Sequence, residues 1–299
     1  MIPFTVIGGY LGAGKTTLLN HILRAAGGRR IALLINDFGD INIDAMLIES
    51  HRGNRINLTN GCICCSLSDG FYGAIETLLT TAPLPDHIVV EASGVADVHT
   101  LAQYGHSPDL QLDGVIVLAD LETVQAKIRD KYVGQTIRRQ LAAADVIVAN
   151  KTDLLTQAHC AVASNWLQGE FPQALVHTAE QGNVPLALLL GIHTLDKNLL
   201  EHSGHAHFCR WSYSSPRLVA ADSLRHFLTA LDDSVIRLKG TAEQTTVNLV
   251  AQVVGRRREL RPQQDLQAQG LNLVAIGLEG QLNTSELDRL ANQLLKFTD

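Results

Sequence analysis

The amino-acid sequence predicts an α/β fold in which a mostly parallel sheet is flanked by helices, followed by a small α+β domain. Short apolar runs alternate with stretches of helical spacing over the first two thirds of the chain, and a glycine-rich loop joins the first run to the first helix. From residue 208 onward, predicted strands and helices follow one another without strict alternation. We therefore expect a first domain at 1–195, a histidine-containing linker at 196–207 and a C-terminal domain at 208–299.

Length and composition indicate a globular protein with a substantial core. The chain has 299 residues, 46% of them hydrophobic, and a net charge of -6, which argues against nucleic-acid binding because such proteins usually carry a basic surface. Neither a signal sequence nor an apolar stretch long enough to span a bilayer is apparent, so we expect a cytoplasmic protein without a membrane partner. Three of the five cysteines lie within four residues, which is not typical of a disulfide framework. The sequence leaves open whether the chain forms a homo-oligomer.

The first element is a strand, followed by a glycine loop and the start of a helix. The apolar run at 2–7 leads into GGYLGAGKTT at 8–17, whose spacing fits the phosphate loop of P-loop nucleotide-binding proteins. In such a loop backbone N–H groups close around phosphate oxygens, Lys15 reaches the β- and γ-phosphates, and the Thr16 hydroxyl ligates Mg²⁺. A glycine-rich turn that matches the pattern by accident is the alternative. The residues predicted to contact the nucleotide here are Gly9, Gly12, Ala13, Gly14, Lys15, Thr16 and Thr17.

A second buried strand is predicted at 29–36, and an acidic loop, DFGDINID, follows it at 37–44. Ligands of open parallel sheets lie beyond the carboxyl ends of the strands, where this loop would be. Asp37 and Asp40 are therefore candidates for holding Mg²⁺ through water, or for sensing the γ-phosphate as part of a mobile switch. An acidic turn whose side chains lie in solvent is the alternative.

A short strand at 55–59 and a turn precede the sequence CICC at 62–65. Thiolates are soft ligands suited to Zn²⁺, Cu⁺ and related ions. Cys62, Cys64 and Cys65 could supply most of a tetrahedral site, with the fourth position open to water, an acidic loop residue or a ligand from a partner. The same cysteines could instead form a buried cluster of small apolar residues, or a redox pair.

Helical spacing at 66–79 precedes an apolar strand at 87–91 that ends in an acid, Glu91. This pattern resembles a Walker B strand, in which Glu91 could order Mg²⁺-bound water and the N–H of Gly94 could sense the terminal phosphate. A strand that merely ends on a solvated glutamate is the alternative. Val95 follows the glycine, where Ras-like enzymes carry a water-positioning glutamine, so we expect slow hydrolysis.

Further strands and helices lead to the sequence NKTD at 150–153. An aspartate at this place can accept hydrogen bonds from N1–H and the 2-amino group of guanine, which adenine cannot supply, so Asp153 predicts GTP and GDP as ligands. Asn150 would brace the loop, and the Lys151 stem would cover the purine. The backbone of Ala179 is the predicted contact to guanine O6. The elements around these residues are strands at 113–120, 145–149 and 174–177 and helical stretches at 122–130 and 135–144.

Five motifs, GGYLGAGKTT, NDFGD, NGCICC, EASG and NKTD, occur in this order and together resemble the CobW-type family of metallochaperone GTPases, which is related to the nickel-insertion GTPases of hydrogenase and urease. The resemblance covers about the first 195 residues and continues more thinly into the C-terminal part. It implies GTP and Mg²⁺ in the P-loop domain and a transition-metal ion held by the CxCC thiols. Zn²⁺ is the ion expected, with Co²⁺ and Ni²⁺ as alternatives, and a client metalloprotein is the expected partner.

Two departures from the family's pattern concern the metal-binding side chains and the acidic loop. Family members often carry a long histidine-rich tract, whereas here only His202, His205 and His207 are clustered, and these could bind metal weakly or stay solvated. Asp37 stands where many members have Glu, which shortens the reach of the carboxylate and leaves its role open.

The C-terminal region shows no catalytic constellation in its sequence. Trp211 and Tyr213 are predicted core residues, and the one compact basic run, Arg256-Arg257-Arg258, is predicted to be a solvated strand end or turn. The predicted strands are at 208–215, 235–239, 245–254 and 271–278, and the predicted helices are at 218–231 and 284–297.

These observations predict a GTP-hydrolysing metallochaperone with slow, Mg²⁺-dependent GTPase activity. Lys15, Thr16, Asp37 and Glu91 are the predicted catalytic residues, and the GTP state would control metal loading at the cysteines. One alternative is a regulatory or scaffolding switch in which the thiols bind structural zinc or merely pack. A nucleotide or metabolite kinase is disfavoured by NKTD and by the lack of a recognisable acceptor site.

Overall fold

The structure is a computed structural model of the 299-residue chain. It describes residues 1–26, 28–35, 55–57, 69–80, 82–191, 208–244, 247–263 and 269–295. Several predicted site residues lie outside the described residues: Asp37, Asp40, Cys62, Cys64, Cys65, His202, His205 and His207. The chain divides into two compact units, Met1–Leu190 and Gly191–Asp299. Within the described ranges, no helix has both the length and the apolar character needed to cross a membrane.

The first unit contains a seven-stranded sheet in which neighbouring strands pair in parallel. Its spatial order is β3-β2-β4-β1-β5-β6-β7. The predicted α/β fold with a mostly parallel sheet is therefore confirmed. The strands are β1 (Ile2–Gly9), β2 (Ile31–Ile35), β3 (Arg55–Asn57), β4 (His87–Glu91), β5 (Leu110–Asp120), β6 (Val146–Asn150) and β7 (Leu175–Thr178).

Helices connect the strands of this sheet and cover it, with the connection from β2 to β3 lying outside the described residues. Every residue of β2, β4 and β5 is buried, as expected for apolar runs in a parallel sheet that helices enclose. The helices are α1 (Lys15–Ala25), α2 (Asp69–Thr80), α3 (Val98–Tyr104), α4 (Val124–Lys127), α5 (Gly134–Ala142), α6 (Gln157–Glu170) and α7 (Leu186–Leu189). Of these, α1, α3 and α5 pack against β1.

The register of the sheet brings the predicted site residues to one edge. Ile7 of β1 pairs with Glu91 of β4, and Asp120 of β5 pairs with Asn150 of β6. Because these strands are parallel, the loops that follow them leave the sheet at the same edge. The glycine loop, the acid at the end of β4 and the NKTD motif therefore lie near one another.

The second unit is built on a five-stranded antiparallel sheet of order β11-β10-β9-β12-β8. The strands are β8 (Phe208–Ser215), β9 (Arg237–Ala242), β10 (Asn248–Val254), β11 (Arg257–Gln263) and β12 (Leu271–Leu278), and the helices are α8 (Ala221–Ala230) and α9 (Thr284–Leu294). The two helices pack on each other and on the sheet. Trp211 is 5% exposed and its Nε1 donates to Asp288 Oδ1 over 2.8 Å, so it belongs to the core as predicted. Tyr213 is half-buried and packs against that core.

Helices α3 and α6, like the short helix α7, are absent from the sequence-based expectations. The first is seven residues long, and its clearest signal is the Asp97 cap, whose Oδ1 accepts the N–H of His99 over 2.9 Å. The second buries only Ala163 and Leu167, so its apolar periodicity is weak. Both helices therefore give only weak local signals in the sequence. Their positions depend mainly on the strands that they connect, and local patterns do not encode this dependence.

The basic run at 256–258 lies at a turn and a strand end as predicted, but its side chains are half-buried and not solvated. Arg257 and Arg258 belong to β11 and are half-buried. Arg258 donates to the carbonyl oxygens of Leu228 and Leu231, each over 2.9 Å, at the C-terminal end of α8. The guanidinium group thus satisfies carbonyls that the helix leaves open, a partnership between distant segments that a charge pattern cannot reveal.

Candidate functional site

The glycine loop makes a tight connection from β1 to α1. Gly14 precedes the helix with φ of 103°, and a Cβ added there would lie 2.4 Å from Asn150 Nδ2, so only glycine fits this position. Gly9 and Gly12 also have positive φ, 138° and 77°. The N–H of Ala13 donates to Tyr10 O over 3.1 Å and closes the turn. The N-terminus of α1 follows directly, and the N–H groups and positive dipole end of a helix N-terminus suit a phosphate group.

The first turn of α1 carries the predicted phosphate and magnesium ligands. Lys15 is 8% exposed, and its Nζ donates to Gly9 O over 3.0 Å. This bond folds the lysine back over the glycine loop, from where the ammonium group can pass to a phosphate oxygen. Thr16 is half-buried and Thr17 is exposed at the next two positions of the helix.

The end of β4 contacts the glycine loop. Glu91 is 1% exposed, and the N–H of Ala92 donates to Ile7 O over 2.8 Å, which ties the end of β4 to β1. A Cβ added at Gly94 would lie 2.5 Å from Leu11 Cδ2 and 3.0 Å from Leu11 N. A larger residue at 94 would therefore push the two loops apart, and the predicted Walker B and phosphate loops lie directly against each other.

Asn150 joins the NKTD motif to two other loops. It ends β6 and is 2% exposed; its Nδ2 donates to Ala13 O, and its Oδ1 accepts the N–H of Gly182, each over 2.9 Å. The loop after β7 is also held to α1, because His21 Nε2 lies 2.7 Å from Val184 O. One buried amide thereby holds the phosphate loop and the loop after β7 in a fixed relation.

Replacing Asn150 by Ala is expected to lower the free energy of unfolding by about 2–4 kcal/mol, because it leaves a buried carbonyl and a buried N–H without their partner. Urea unfolding of the nucleotide-free protein measures this effect. Asn165→Ala, at an exposed position of α6, is the matched control and should change the unfolding free energy by less than about 0.5 kcal/mol. Equal effects of the two substitutions would contradict the bracing role.

The rest of the NKTD motif forms a short 3-10 turn, Thr152–Leu154. Lys151 precedes it with φ of 68°, in the left-handed region that is unusual for a residue with a side chain. The hydroxyl and the N–H of Thr152 donate to Ala179 O over 3.0 and 3.2 Å. Asp153 is exposed, so its carboxylate is accessible to an incoming base.

The backbone groups of Ala179, the predicted contact to guanine O6, form hydrogen bonds within the protein. A contact to O6 needs an N–H donor, and the N–H of Ala179 already donates to Ala149 O over 2.9 Å. Its carbonyl accepts both bonds from Thr152, and the residue is 4% exposed. Ala179 therefore anchors the NKTD turn. Hydrogen bonding between the ends of β6 and β7 thus continues one residue beyond Thr178.

Two residues that contact the site, Asp120 and Gln140, are absent from the sequence-based expectations. Asp120 ends β5, and its Oδ2 accepts from Lys151 Nζ over 3.0 Å; an acid at the end of an apolar strand was its signal. Gln140 of α5 is 2% exposed, and its Nε2 donates to Gly94 O over 3.3 Å and to Ala96 O over 2.9 Å. No local pattern identifies Gln140, because its partners are backbone carbonyls 46 and 44 residues away.

The described ranges contain no group of three or more His, Cys, Asp or Glu that could hold a metal ion. The predicted thiolate ligands at 62–65 lie outside these ranges, and so does Asp37. For Mg²⁺, the hydroxyl of Thr16 on α1 and the carboxylate of Glu91 on β4 are oxygen donors on elements that both adjoin β1. Their chemistry fits a hard cation that prefers oxygen ligands.

Both units match known protein families. Residues 3–177 match the family described as CobW/HypB/UreG, nucleotide-binding domain. Residues 208–295 match the Cobalamin synthesis protein cobW C-terminal domain. The first match alone covers more than half of the chain, and it includes every described residue of the glycine loop, the end of β4 and the NKTD motif.

Individual relatives agree with these matches. The protein named zinc chaperone CobW from a Sinorhizobium species is 31% identical over 331 aligned positions, covering 93% of each chain. Zinc chaperone YjiA from Escherichia coli is 34% identical over 218 positions, covering 69% of this chain and 67% of that one. Among solved structures, a Zn(II)-bound triple mutant of the YjiA GTPase has a TM-score of 0.50 at 22% identity over 98% of each chain, which is a likeness of fold. The resemblance inferred from the motifs is thus confirmed, and the chain belongs to the CobW/HypB/UreG family.

Proposed function

We propose that this chain is a GTP-hydrolysing metallochaperone. The nucleotide state of the P-loop domain would control the binding of a transition-metal ion by Cys62, Cys64 and Cys65 and its delivery to a client metalloprotein. The observation that carries the nucleotide part is the pair of hydrogen bonds of Asn150, which joins a guanine-type motif to a phosphate loop. Zn²⁺ is the proposed cargo because two relatives are named zinc chaperones, with Co²⁺ and Ni²⁺ as alternatives.

The proposed domain boundaries remain 1–195 for the GTPase domain, 196–207 for the linker and 208–299 for the C-terminal domain. The compact units meet between Leu190 and Gly191, and the two family matches end at 177 and begin at 208. The gap between the two family matches supports a linker in this part of the chain.

Hydrolysis would use the groups that line the glycine loop. Lys15 would exchange its bond to Gly9 O for the β- and γ-phosphate oxygens, while the N–H groups at the start of α1 bind the same phosphates. The Thr16 hydroxyl, Glu91 and Asp37 would hold Mg²⁺, whose positive charge would offset the charge developing on the phosphates. The N–H of Gly94 would sense the terminal phosphate.

Slow turnover is part of the proposal. Val95 follows Gly94, at the place where a water-orienting side chain would be expected, and its apolar side chain is 45% exposed. An isopropyl group neither donates nor accepts a hydrogen bond, so it cannot orient the attacking water. Slow hydrolysis would let the GTP-bound state persist for a set time.

The sheet offers a short route from the nucleotide to the cysteines. Ile35 of β2 pairs with Glu91 on one side and with Asn57 of β3 on the other. Asn57 precedes Cys62 by five positions in the sequence. The chain segments that contain Asp37 and the cysteines therefore follow β2, which lies beside the Walker B strand β4, and β3, which lies beside β2. A change of the loops at this edge on GTP binding would reach both segments, which supports coupling between nucleotide and metal.

Zn²⁺ affinity is expected to be about tenfold higher with a non-hydrolysable GTP analogue than with GDP at matched Mg²⁺. Linkage requires the converse, so Zn²⁺ should tighten binding of the analogue by the same factor. Competition against a chromophoric chelator measures the metal affinity, and fluorescence titration measures the nucleotide affinity.

Cysteine variants separate this coupling from incidental metal binding. The triple replacement of Cys62, Cys64 and Cys65 by Ser should abolish the nucleotide-dependent Zn²⁺ affinity. Cys160→Ser and Cys209→Ser are the matched controls, because these two half-buried thiols lie outside the CxCC motif. Equal Zn²⁺ affinity with GDP and with the analogue in the unsubstituted protein would contradict the proposal and favour a regulatory or scaffolding switch.

A further inference from the structure

A buried acid holds the lysine of the NKTD motif. Lys151 Nζ lies 3.0 Å from Asp120 Oδ2, and the side chains are 31% and 9% exposed. Asp120 ends β5 and pairs in register with Asn150, the residue before the lysine. The contact therefore links the ends of two adjacent strands. These are β5, which lies beside β1, and β6, which carries the guanine-type motif.

Both oxygens of the Asp120 carboxylate are engaged. While Oδ2 accepts from Lys151, Oδ1 accepts the N–H of Glu122 over 3.2 Å, so rotation of the carboxylate would break a bond. The lysine is fixed at its other end too, because its backbone has φ of 68° and the following turn is bonded to Ala179. A long, flexible side chain is thus held at its base and at its tip.

The charge on Asp120 is maintained although the residue is buried. Burial acts to raise the pKa of the Asp120 carboxyl, but hydrogen bonds from the side chains of Lys151 and Thr123 and the positive charges of Lys151 and Lys127 together lower it below its usual value. Asp120 is therefore ionised at neutral pH. An ionised acceptor forms a stronger bond with an ammonium group than a neutral one does.

We propose that Asp120 is a positioning residue for guanine nucleotides: it fixes the Lys151 ammonium group so that the lysine stem forms the surface on which the purine ring lies. The inference rests on the proposed GTP binding and extends it to a residue outside the NKTD motif. Because Lys151 would contact the base and not the phosphates, Asp120 should affect GTP and GDP affinity equally. The rate of hydrolysis at saturating GTP should be unaffected.

A double-mutant cycle with Asp120→Asn and Lys151→Met tests this role. The asparagine retains an acceptor for the Glu122 N–H but loses the charge that holds the lysine. Asp120→Asn should weaken GTP and GDP binding alike by about fivefold to tenfold, with kcat within about twofold of the unsubstituted protein. In the Lys151→Met background the same substitution should have no further effect on affinity, because the partner through which Asp120 acts is gone.

The outcomes separate this inference from the function on which it rests. Additive losses in the two single variants, or a lower kcat with unchanged affinity, would overturn the positioning role alone. A fall in the melting temperature of the nucleotide-free Asp120→Asn protein that accounts for the lost affinity would also overturn it, because Asp120 would then be a purely structural residue. Failure of the unsubstituted protein to prefer GTP over ATP would overturn the proposed nucleotide specificity and this inference together.

Discussion

Asp153→Asn is expected to weaken GTP binding by about a hundredfold or more and to create binding of xanthosine triphosphate. The carboxylate would accept from N1–H and the 2-amino group of guanine, and each charge-assisted bond contributes about 1.5–3 kcal/mol. An asparagine has an NH₂ group in place of one carboxylate oxygen, and this donor would face a donor group of guanine. Xanthine carries a carbonyl at C2, so the amide can donate to it.

The structure predicts that this substitution changes nucleotide binding without disturbing the fold. Asp153 is exposed and sits in a turn that Thr152 fixes to Ala179, so the substitution should not disturb the fold. Asp109→Asn, another exposed carboxylate of the same unit, is the matched control and should leave GTP affinity unchanged. Titration with fluorescent GTP, GDP and xanthosine nucleotides measures the change. Undiminished GTP affinity in Asp153→Asn would contradict the assignment of guanine specificity.

Lys15→Met is expected to lower GTP hydrolysis by about 10²–10³-fold, because the variant loses a positive group aimed at the charge that develops on the phosphates. Methionine keeps much of the apolar stem, which matters because Lys15 is 8% exposed. Single-turnover phosphate release separates this effect from weaker binding.

An exposed lysine of the same unit serves as the control for Lys15→Met. Lys131 lies at the surface with its Nζ 4.6 Å from the ring centroid of Tyr132. Lys131→Met should leave hydrolysis within about twofold of the unsubstituted protein, because exposed cation–π contacts contribute little. A loss of less than tenfold in Lys15→Met would contradict the role of Lys15 in phosphate binding.

The sequence was most informative where a local pattern dictates the structure. Continuous apolar runs predicted the buried strands, and the glycine spacing predicted the sharp turn before α1, where a Cβ at Gly14 would clash with Asn150. The helix indeed begins at Lys15. In these segments steric and burial requirements act on neighbouring residues, so a short window of sequence contains the information.

Local patterns failed where a residue acts through a distant partner. Gln140 donates to two carbonyls more than forty residues earlier, and Arg258 reaches the end of α8 from a neighbouring strand. The N–H of Ala179 likewise has its partner, Ala149 O, on the neighbouring strand β6. Such contacts exist only once the sheet has assembled, and a polar side chain that bonds backbone carbonyls leaves no characteristic spacing in the sequence.

The two hydrogen bonds of Asn150 also bear on how a bound nucleotide departs. Asn150 ties the loop at the phosphates to the loops at the base, so we expect the two ends of a bound nucleotide to be released together. Release of the nucleotide would then require these loops to open together. The frequency of that opening would set the residence time of the nucleotide. Under the proposed coupling of metal binding to nucleotide, Asn150 would thereby also influence how long the metal ion is held.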